Sequence, residues 1–302
     1  MAIASVSVAL LEAGYLRSTL FQQQLATPMS PFPEFARRRS SWMWPPEKVV
    51  TTVTDHEGRS GISVTNGGAV VATIVRDQFA RLLVGRDETE IAELWELTFR
   101  SILPFDRSRV ALLAVGAVDI ALWDLRTKRE GIDLADLVGP RKSILPSAYV
   151  TTPVPRRFAD SAYAGIKVPM LSGPTDGTAG IADNVDLVQR AREAAGPTKD
   201  VMIDAFMGWD VEYTTRMVEA LAPYRVRWFE DPLPPMDVDD YVRLKEACGD
   251  AVRLALGNFC FSRWDVRALI DAGVVSILQP DIAWAGGISE ALRIDADARR
   301  AG

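Results

Sequence analysis

The apolar and polar positions of the chain fall into two rhythms, and the change comes near Gly139. Before it, SVSVALL near the start, KVVTTVTD (48–55) and RSGISVTN (59–66) read as strands, the last two joined by the turn HEG. Three helical patterns follow: VATIVRDQFARLLVG ending at Gly85, ETEIAELWELTFRSIL, and RSRVALLAVGAVDIALWDLRTKREG ending at Gly131. The third is apolar nearly all round, which predicts a central, buried helix. Strands followed by helices predict a compact N-terminal α+β unit over residues 1–140. From about Arg17 to Pro46 the pattern loosens around Pro28, Pro31, Pro33, the cluster Arg37-Arg38-Arg39 and WMWPP.

After Gly139 the apolar runs become short and continuous: SAYVTTP (147–153), YAGIKVP (163–169), KDVMIDA (199–205), YRVRWFED (224–231), VRLALGN (252–258) and VVSILQPD (274–281). Helical patterns such as NVDLVQRAREAAG and SRWDVRALIDAG separate most of them. This is a repeated βα unit, because parallel strands buried on both faces read as such runs. Residues 141–302 predict a partial (β/α) barrel domain, since polar residues recur at the C-terminal ends of successive strands, where a barrel places its active site. A doubly wound nucleotide-binding sheet would want a Gly-rich loop after an early strand, and GGA at 67–69 and GG at 286–287 do not make one. Only about six barrel strands are legible where closure takes eight, so the expectation is a fragment of a longer chain.

Composition narrows the function classes. With 48% hydrophobic and 25% charged residues the chain reads as an ordinary globular protein. A net charge of -6 argues against nonspecific nucleic-acid binding, though it leaves room for a small phosphate site. No apolar run approaches the roughly 18 residues of a membrane span, and the opening MAIASVSVALLEAGYLR lacks a basic leader and reads as a strand. Cys248 and Cys260 read as buried thiols in a reducing compartment, which implies a cytoplasmic protein. The sole histidine, His56, sits in the turn TDHEGR, so neither a histidine-rich metal site nor a Ser-His-Asp triad is easy to build.

The candidate chemistry lies in carboxylates. Asp204, Glu230, Asn258 and Asp281 each close a predicted strand, at intervals of 26, 28 and 23 residues. In a barrel such side chains converge over one end, and oxygen donors at Asp204, Glu230 and Asn258 suit a hard ion such as Mg²⁺. Strand ends also carry Asp, Glu and Asn as turn formers, so each residue alone is ambiguous; four at a regular interval are harder to dismiss. Lys167, in GIKVP, suits a substrate carboxylate or a base of lowered pKa, and equally a lysine snorkelling at the sheet rim. The tract VPMLSGPTDGTAG (168–180) reads as a mouth-lining or surface loop. Met207, Trp209, Trp264 and Trp284 could wall a pocket or pack between the barrel and the N-terminal unit. Strand alternation separates Glu230 from its neighbour Asp231: with Glu230 in the mouth, Asp231 points away and is expected to hydrogen-bond in the turn stiffened by Pro232, Pro234 and Pro235.

In order, VGAVDIALWDLRTKREG, GIKVP, MIDAFMGWD, WFEDPLPP and LQPDIAWAGGISEALRI resemble the enolase superfamily, mandelate racemase subgroup, over nearly all of residues 48–302. The branch they resemble is the acid-sugar dehydratases of the L-rhamnonate dehydratase type. The resemblance implies a (β/α)7β barrel under an N-terminal capping domain, and Mg²⁺-assisted removal of the proton α to a carboxylate. Loss of the β-hydroxyl then gives a 2-keto-3-deoxy acid. It implies Asp204, Glu230 and Asn258 as metal ligands, Lys167 as the first lysine of a lysine-x-lysine motif, and Asp281 as the aspartate that orients a catalytic histidine. It also implies a homo-oligomer with a small acid sugar as its partner and no membrane or nucleic acid.

Three departures stand out. Pro169 fills the second lysine position, which disfavours a racemase or epimerase. Gly257-Asn258 replaces the usual Gly-Glu pair. The histidine that would pair with Asp281 is expected beyond residue 302, and residues 17–46 offer arginines where rhamnonate-type enzymes use a loop histidine. A noncatalytic homologue, binding an acid sugar or serving a structural role, is the reading of a different class.

Overall fold

The computed structural model describes residues 2–11, 25–35, 47–106, 109–139, 147–158 and 162–302. Arg37–Arg39 and WMWPP lie outside them. β1 (Ile3–Leu11), β2 (Lys48–Asp55) and β3 (Ser60–Thr65) form an antiparallel sheet in that order. In β2 every second residue is buried (Val49, Thr51, Val53, Asp55), the two-residue period expected when one face meets a core. Asp55 closes the β2–β3 turn by accepting from Glu57 N, Arg59 N and Arg59 Nε.

The chain then runs through α1 (Gly68–Thr73), a π-helical stretch (Ile74–Phe79) and α2 (Ala80–Leu83), followed by α3 (Ile91–Ile102), α4 (Val110–Glu130) and α5 (Leu134–Val138). As its all-round apolar pattern predicts, α4 is central: Ala111–Asp119 is buried without interruption, and the helix packs on both β2 and β3.

The second sheet has six parallel strands in sequence order, an incomplete (β/α) barrel. It runs β4 (Tyr149–Thr151), β5 (Gly165–Pro169), α6 (Gly177–Ala195), β6 (Asp200–Asp204), α7 (Val211–Leu221), β7 (Phe229–Glu230), α8 (Val238–Cys248), β8 (Leu254–Leu256), α9 (Arg263–Asp271), β9 (Ile277–Leu278) and α10 (Ile288–Ala301). Alternation sorts the strand residues. Ile166, Val168, Val201, Ile203, Phe229, Leu254 and Leu256 join the core shared with the helices, while Met202, Trp228, Ala255 and Ile277 form a separate cluster on the other face.

Two expectations need correction. The tract at 168–180 is not a loop throughout: Val168 and Pro169 end β5, and α6 begins at Gly177, seven residues before the helical pattern becomes legible at Asn184. Its first turns are Gly- and Thr-rich, which hides them from propensity. Tertiary contacts hold them instead: Asn184 is fully buried, accepts from Leu171 N and Ser172 N and donates to Ser172 O. The strands β7 and β9 are also only two residues long, well short of the apolar runs around them.

Cap and barrel meet along a polar seam. Asp119 of α4 accepts from Ser289 N at 2.9 Å and from Ser289 Oγ at 2.6 Å, at the start of α10. Trp95 Nε1 donates to Gly286 O at 2.7 Å. Gly116 permits this approach, since a Cβ there would sit 2.9 Å from Ala283 O. Glu290, fully buried, accepts from Arg263 N (2.9 Å), Arg263 Nη1 (2.6 Å) and Arg293 Nη1 (3.2 Å). Burial pushes the Asp119 carboxyl up to about 7 even though the Ser289 hydrogen bonds favour its charged form. Among the described residues no helix is long and apolar enough to cross a membrane. Both cysteines are free, Cys260 buried and Cys248 half-buried.

Candidate active site

Pairing aligns the acidic positions. Pro169 lies beside Asp204 across β5–β6, and Asp204 lies beside Glu230 across β6–β7. Asp204 is two residues on from Met202, and Glu230 two on from Trp228, so both carboxylates continue the row of the inner cluster. Lys167 is paired with Met202 and belongs to the same row. It lies at the middle of β5 rather than at its end, and its length carries the ammonium up to the carboxylates.

The three side chains meet. Lys167 Nζ donates to Glu230 Oε1 and lies 3.5 Å from Asp204 Oδ2. Trp228 Nε1 is 3.4 Å from Glu230 Oε2, and the Tyr149 ring stands 5.9 Å from the Lys167 ammonium. Lys167, Asp204 and Glu230 are all buried. Burial alone would lower the lysine pKa; the charges of Asp204 and Glu230 outweigh it and hold the ammonium above its ordinary value. The two carboxylates thus favour the charged form of Lys167 in this structure.

Asp231 does point away from Glu230, as alternation demands, but the expected turn hydrogen bond is absent. Its side chain has no hydrogen-bond partner among the described residues, and it lines a cavity of about 350 Å³ with Tyr241, Leu256 and Cys260. Burial first, and then the neighbouring charges of Asp204 and Glu230, raise its carboxyl well above the usual range. Its backbone does the stitching: Asp231 N donates to Ala255 O, and Asp231 O accepts from Met207 N at 2.7 Å. Phe206, Met207 and Asp231 all have left-handed backbone, φ 51°, 58° and 38°. Such non-glycine conformations cost about 1–3 kcal/mol each and gather at functional sites.

Asn258 and Asp281 do not close their strands. Asn258 is two residues past β8 and half-buried; Asp281 is three past β9, also half-buried, and its Oδ1 accepts from Ala283 N at 2.9 Å. Counting on from Ala255, strict alternation would turn Asn258 toward the helices. Gly257, at φ 125°, breaks the pleat before that point, and a Cβ there would lie 3.1 Å from Gln279 N of the next strand connection. The direction of Asn258 is thus set by backbone outside the strand.

The aromatic residues divide. Trp209 is buried and donates to Ser172 O, whereas Trp264 stacks on Phe99 of α3 and Trp284 stacks on Phe261, so these two pack toward the cap. Tyr149 and Trp228, which border the lysine and the carboxylates, were not singled out from the sequence. The two-residue spacing of Trp228 and Glu230 was the available signal.

Among the described residues no three carboxylate, imidazole or thiolate groups gather as a metal cluster. What gathers is a pair of carboxylates around a cation, the Lys167 ammonium. That pair, with an amide two residues past the next strand, fits the oxygen chemistry of a hard divalent ion.

A parallel barrel sheet in sequence order, an antiparallel-sheet and helix cap, and acidic side chains at the C-terminal strand ends define an enolase-type capped barrel. Residues 46–139 match the family model of the mandelate racemase / muconate lactonizing enzyme N-terminal domain, and residues 154–302 that of the enolase C-terminal domain-like family. The chain belongs to the mandelate racemase / muconate lactonizing enzyme family of the enolase superfamily. It is 34% identical over 274 residues to an L-rhamnonate dehydratase of Saccharopolyspora erythraea, covering 90% of this chain and 70% of that protein. The crystal structure of rhamnonate dehydratase from Gibberella zeae complexed with Mg superposes with a TM-score of 0.91 at 27% identity, over 99% of this chain and 76% of that one. A racemase from Streptomyces coelicolor with bound magnesium gives 0.81 at 25% identity, over 99% and 81%.

Proposed function

We propose that this chain carries the metal-binding and carboxylate-binding machinery of a Mg²⁺-dependent acid-sugar dehydratase acting on an aldonate such as L-rhamnonate. The observation behind the reading is the meeting of Lys167, Asp204 and Glu230 at adjacent strand ends in a member of this family. Asp204, Glu230 and Asn258 would hold the ion. When bound, Mg²⁺ supplies a Lewis acid that offsets the charge developing on the substrate carboxylate as its α-proton leaves.

The chain's own residues have separate tasks. Lys167, held protonated, pairs with the substrate carboxylate. Asp281 orients an imidazole base; its Oδ1 is taken by Ala283 N, and Oδ2 is the oxygen proposed for the imidazole N–H. His56, exposed in the β2–β3 turn, is not that imidazole. That imidazole, expected beyond residue 302, would take the α-proton and return a proton to the departing β-hydroxyl, which would leave as water. The enol then tautomerises to the 2-keto-3-deoxy acid.

A panel of aldonates, assayed for keto-acid formation with and without Mg²⁺, tests the reading. Asp204→Asn should lower metal-dependent turnover by about a thousandfold or more. Unchanged turnover in that variant would sink the assigned site. Asn258, an amide where a third carboxylate is usual, favours one alternative: a homologue that binds without turnover. Substrate binding with no α-proton exchange in D₂O would establish it, and exchange without keto-acid formation would establish an epimerase.

A further inference from the structure

The cavity of about 350 Å³ that Asp231 lines lies between α8 and α9 and reaches the start of α4. That volume holds a ligand of small-molecule size. Leu256 and Leu269, both buried, give it apolar walls, and Phe261 adds an aromatic face. Two of its polar groups are committed elsewhere. Tyr241 Oη donates to Leu233 O, and Asp265 accepts from Phe261 N and Ser262 N at the first turn of α9. Two others are not. Asp231 is 4% exposed, and its side chain has no hydrogen-bond or ion-pair partner among the described residues. Arg109, exposed at the rim, has no carboxylate partner among the described residues, and its guanidinium stands 5.9 Å from the centre of the Phe261 ring. An anion and a cation thus line one cavity without meeting each other.

A buried carboxylate without a counter-charge is costly, and an ammonium beside it relieves that cost. Glu230, its neighbour in the chain, and Asp204, paired with Glu230 across β6–β7, bring more negative charge to Asp231 than the Lys167 ammonium offsets. The floor of the cavity therefore suits a cation, not a second anion. At the rim, the Arg109 guanidinium matches the two oxygens of a carboxylate. We propose that this cavity binds a small amino-carboxylic acid as its zwitterion, with the ammonium on Asp231, the carboxylate on Arg109 and the carbon chain against Leu256 and Leu269. Such a ligand joins the cap, through Arg109, to the barrel, through Asp231. The site is separate from the metal and substrate groups proposed at the mouth.

Calorimetric titration of the chain with leucine and with 5-aminopentanoate tests this without any turnover, with pentylamine and pentanoate as single-charge controls. At least one of the two amino acids should bind about tenfold more tightly than either control. Asp231→Asn, which keeps the shape and removes the charge, should weaken that binding by about tenfold or more. Arg109→Gln should weaken it by about threefold, because a rim charge is screened by water. Ala268→Phe fills the cavity from an exposed position on α9 and should abolish binding, a result that stands even where Asp231→Asn fails to fold. No binding by either amino acid, or a single-charge control that binds as tightly, would overturn the proposal. So would binding that survives Ala268→Phe unchanged, which would place the ligand outside this cavity.

Discussion

At the seam between cap and barrel, Asp119 and Glu290 are at least as buried as Asp204 and Glu230 at the mouth, yet the two pairs are held in different ways. Each seam carboxylate is met by several donors fixed in place: Ser289 N and Oγ for Asp119, and Arg263 N, Arg263 Nη1 and Arg293 Nη1 for Glu290. At the mouth Phe206 N donates to Asp204 and Trp228 Nε1 to Glu230, and the cation that reaches both carboxylates, the Lys167 ammonium, rides on a flexible four-carbon stem. Asp231 adds a third carboxyl nearby with no side-chain partner among the described residues. Buried charge that is fully paired specifies how elements dock. Buried charge paired by a movable group is left available for a cation or a substrate. The first arrangement is architecture, and the second is a site.

The largest expected effect is at the seam. Glu290→Ala leaves the Arg263 side chain, only 16% exposed, without its carboxylate. It should cost about 3–5 kcal/mol in unfolding free energy, read from the urea midpoint. A loss below about 1 kcal/mol would show the seam to be no firmer than a surface ion pair.

Next is a pH effect at Asp119. Its carboxyl is raised from 3.8 to about 7 in the folded protein, so between those values the folded state binds more protons than the unfolded one. This group's contribution to stability therefore falls as pH rises from about 4 to 7 and is level above that. Asp119→Asn should remove the fall, so the variant gains on the wild type by up to about 4 kcal/mol across the window. Parallel stability curves for the two proteins would show that Ser289 keeps Asp119 ionised throughout.

The smallest effect sharpens the mouth. Asp231 is also raised, by burial first and then by the charges of Asp204 and Glu230, so its contribution to stability falls as pH rises above the ordinary carboxylate range. Asp231→Asn should stabilise the protein more at pH 8 than near pH 4. Thermal melts at the two pH values check it. A variant less stable than the wild type at pH 8 would mean that the carboxylate has a partner when charged.

How much of this was legible in advance follows from periodicity. β2 has the bounds that its alternating run predicts, and α4 is the buried helix that its all-round apolar pattern demands. Glu230 and Asp231 part to opposite faces because the pleat has a period of two. Reading failed where tertiary contact overrides local preference. The first turns of α6 look like loop until Asn184 and Ser172 are seen to hold them, and the apolar runs around β7 and β9 overstate strands only two residues long. Asn258 was placed at a strand end by spacing alone, and the break at Gly257 lies beyond any pattern.

The sequence by itself determined the alternation of strand and helix and the residue types and intervals at the mouth, because both are periodic and local. Only the tertiary structure decided that Lys167, at mid-strand, spans the distance to Glu230 and Asp204 and that Asp231 is buried without a side-chain partner. It alone also decided that Asp119 docks on Ser289, 170 positions further on. Those outcomes depend on which strands become neighbours and how deeply they are covered. Spacing along one chain carries neither quantity, whereas burial and charge in three dimensions set both the lysine's proton and its partners.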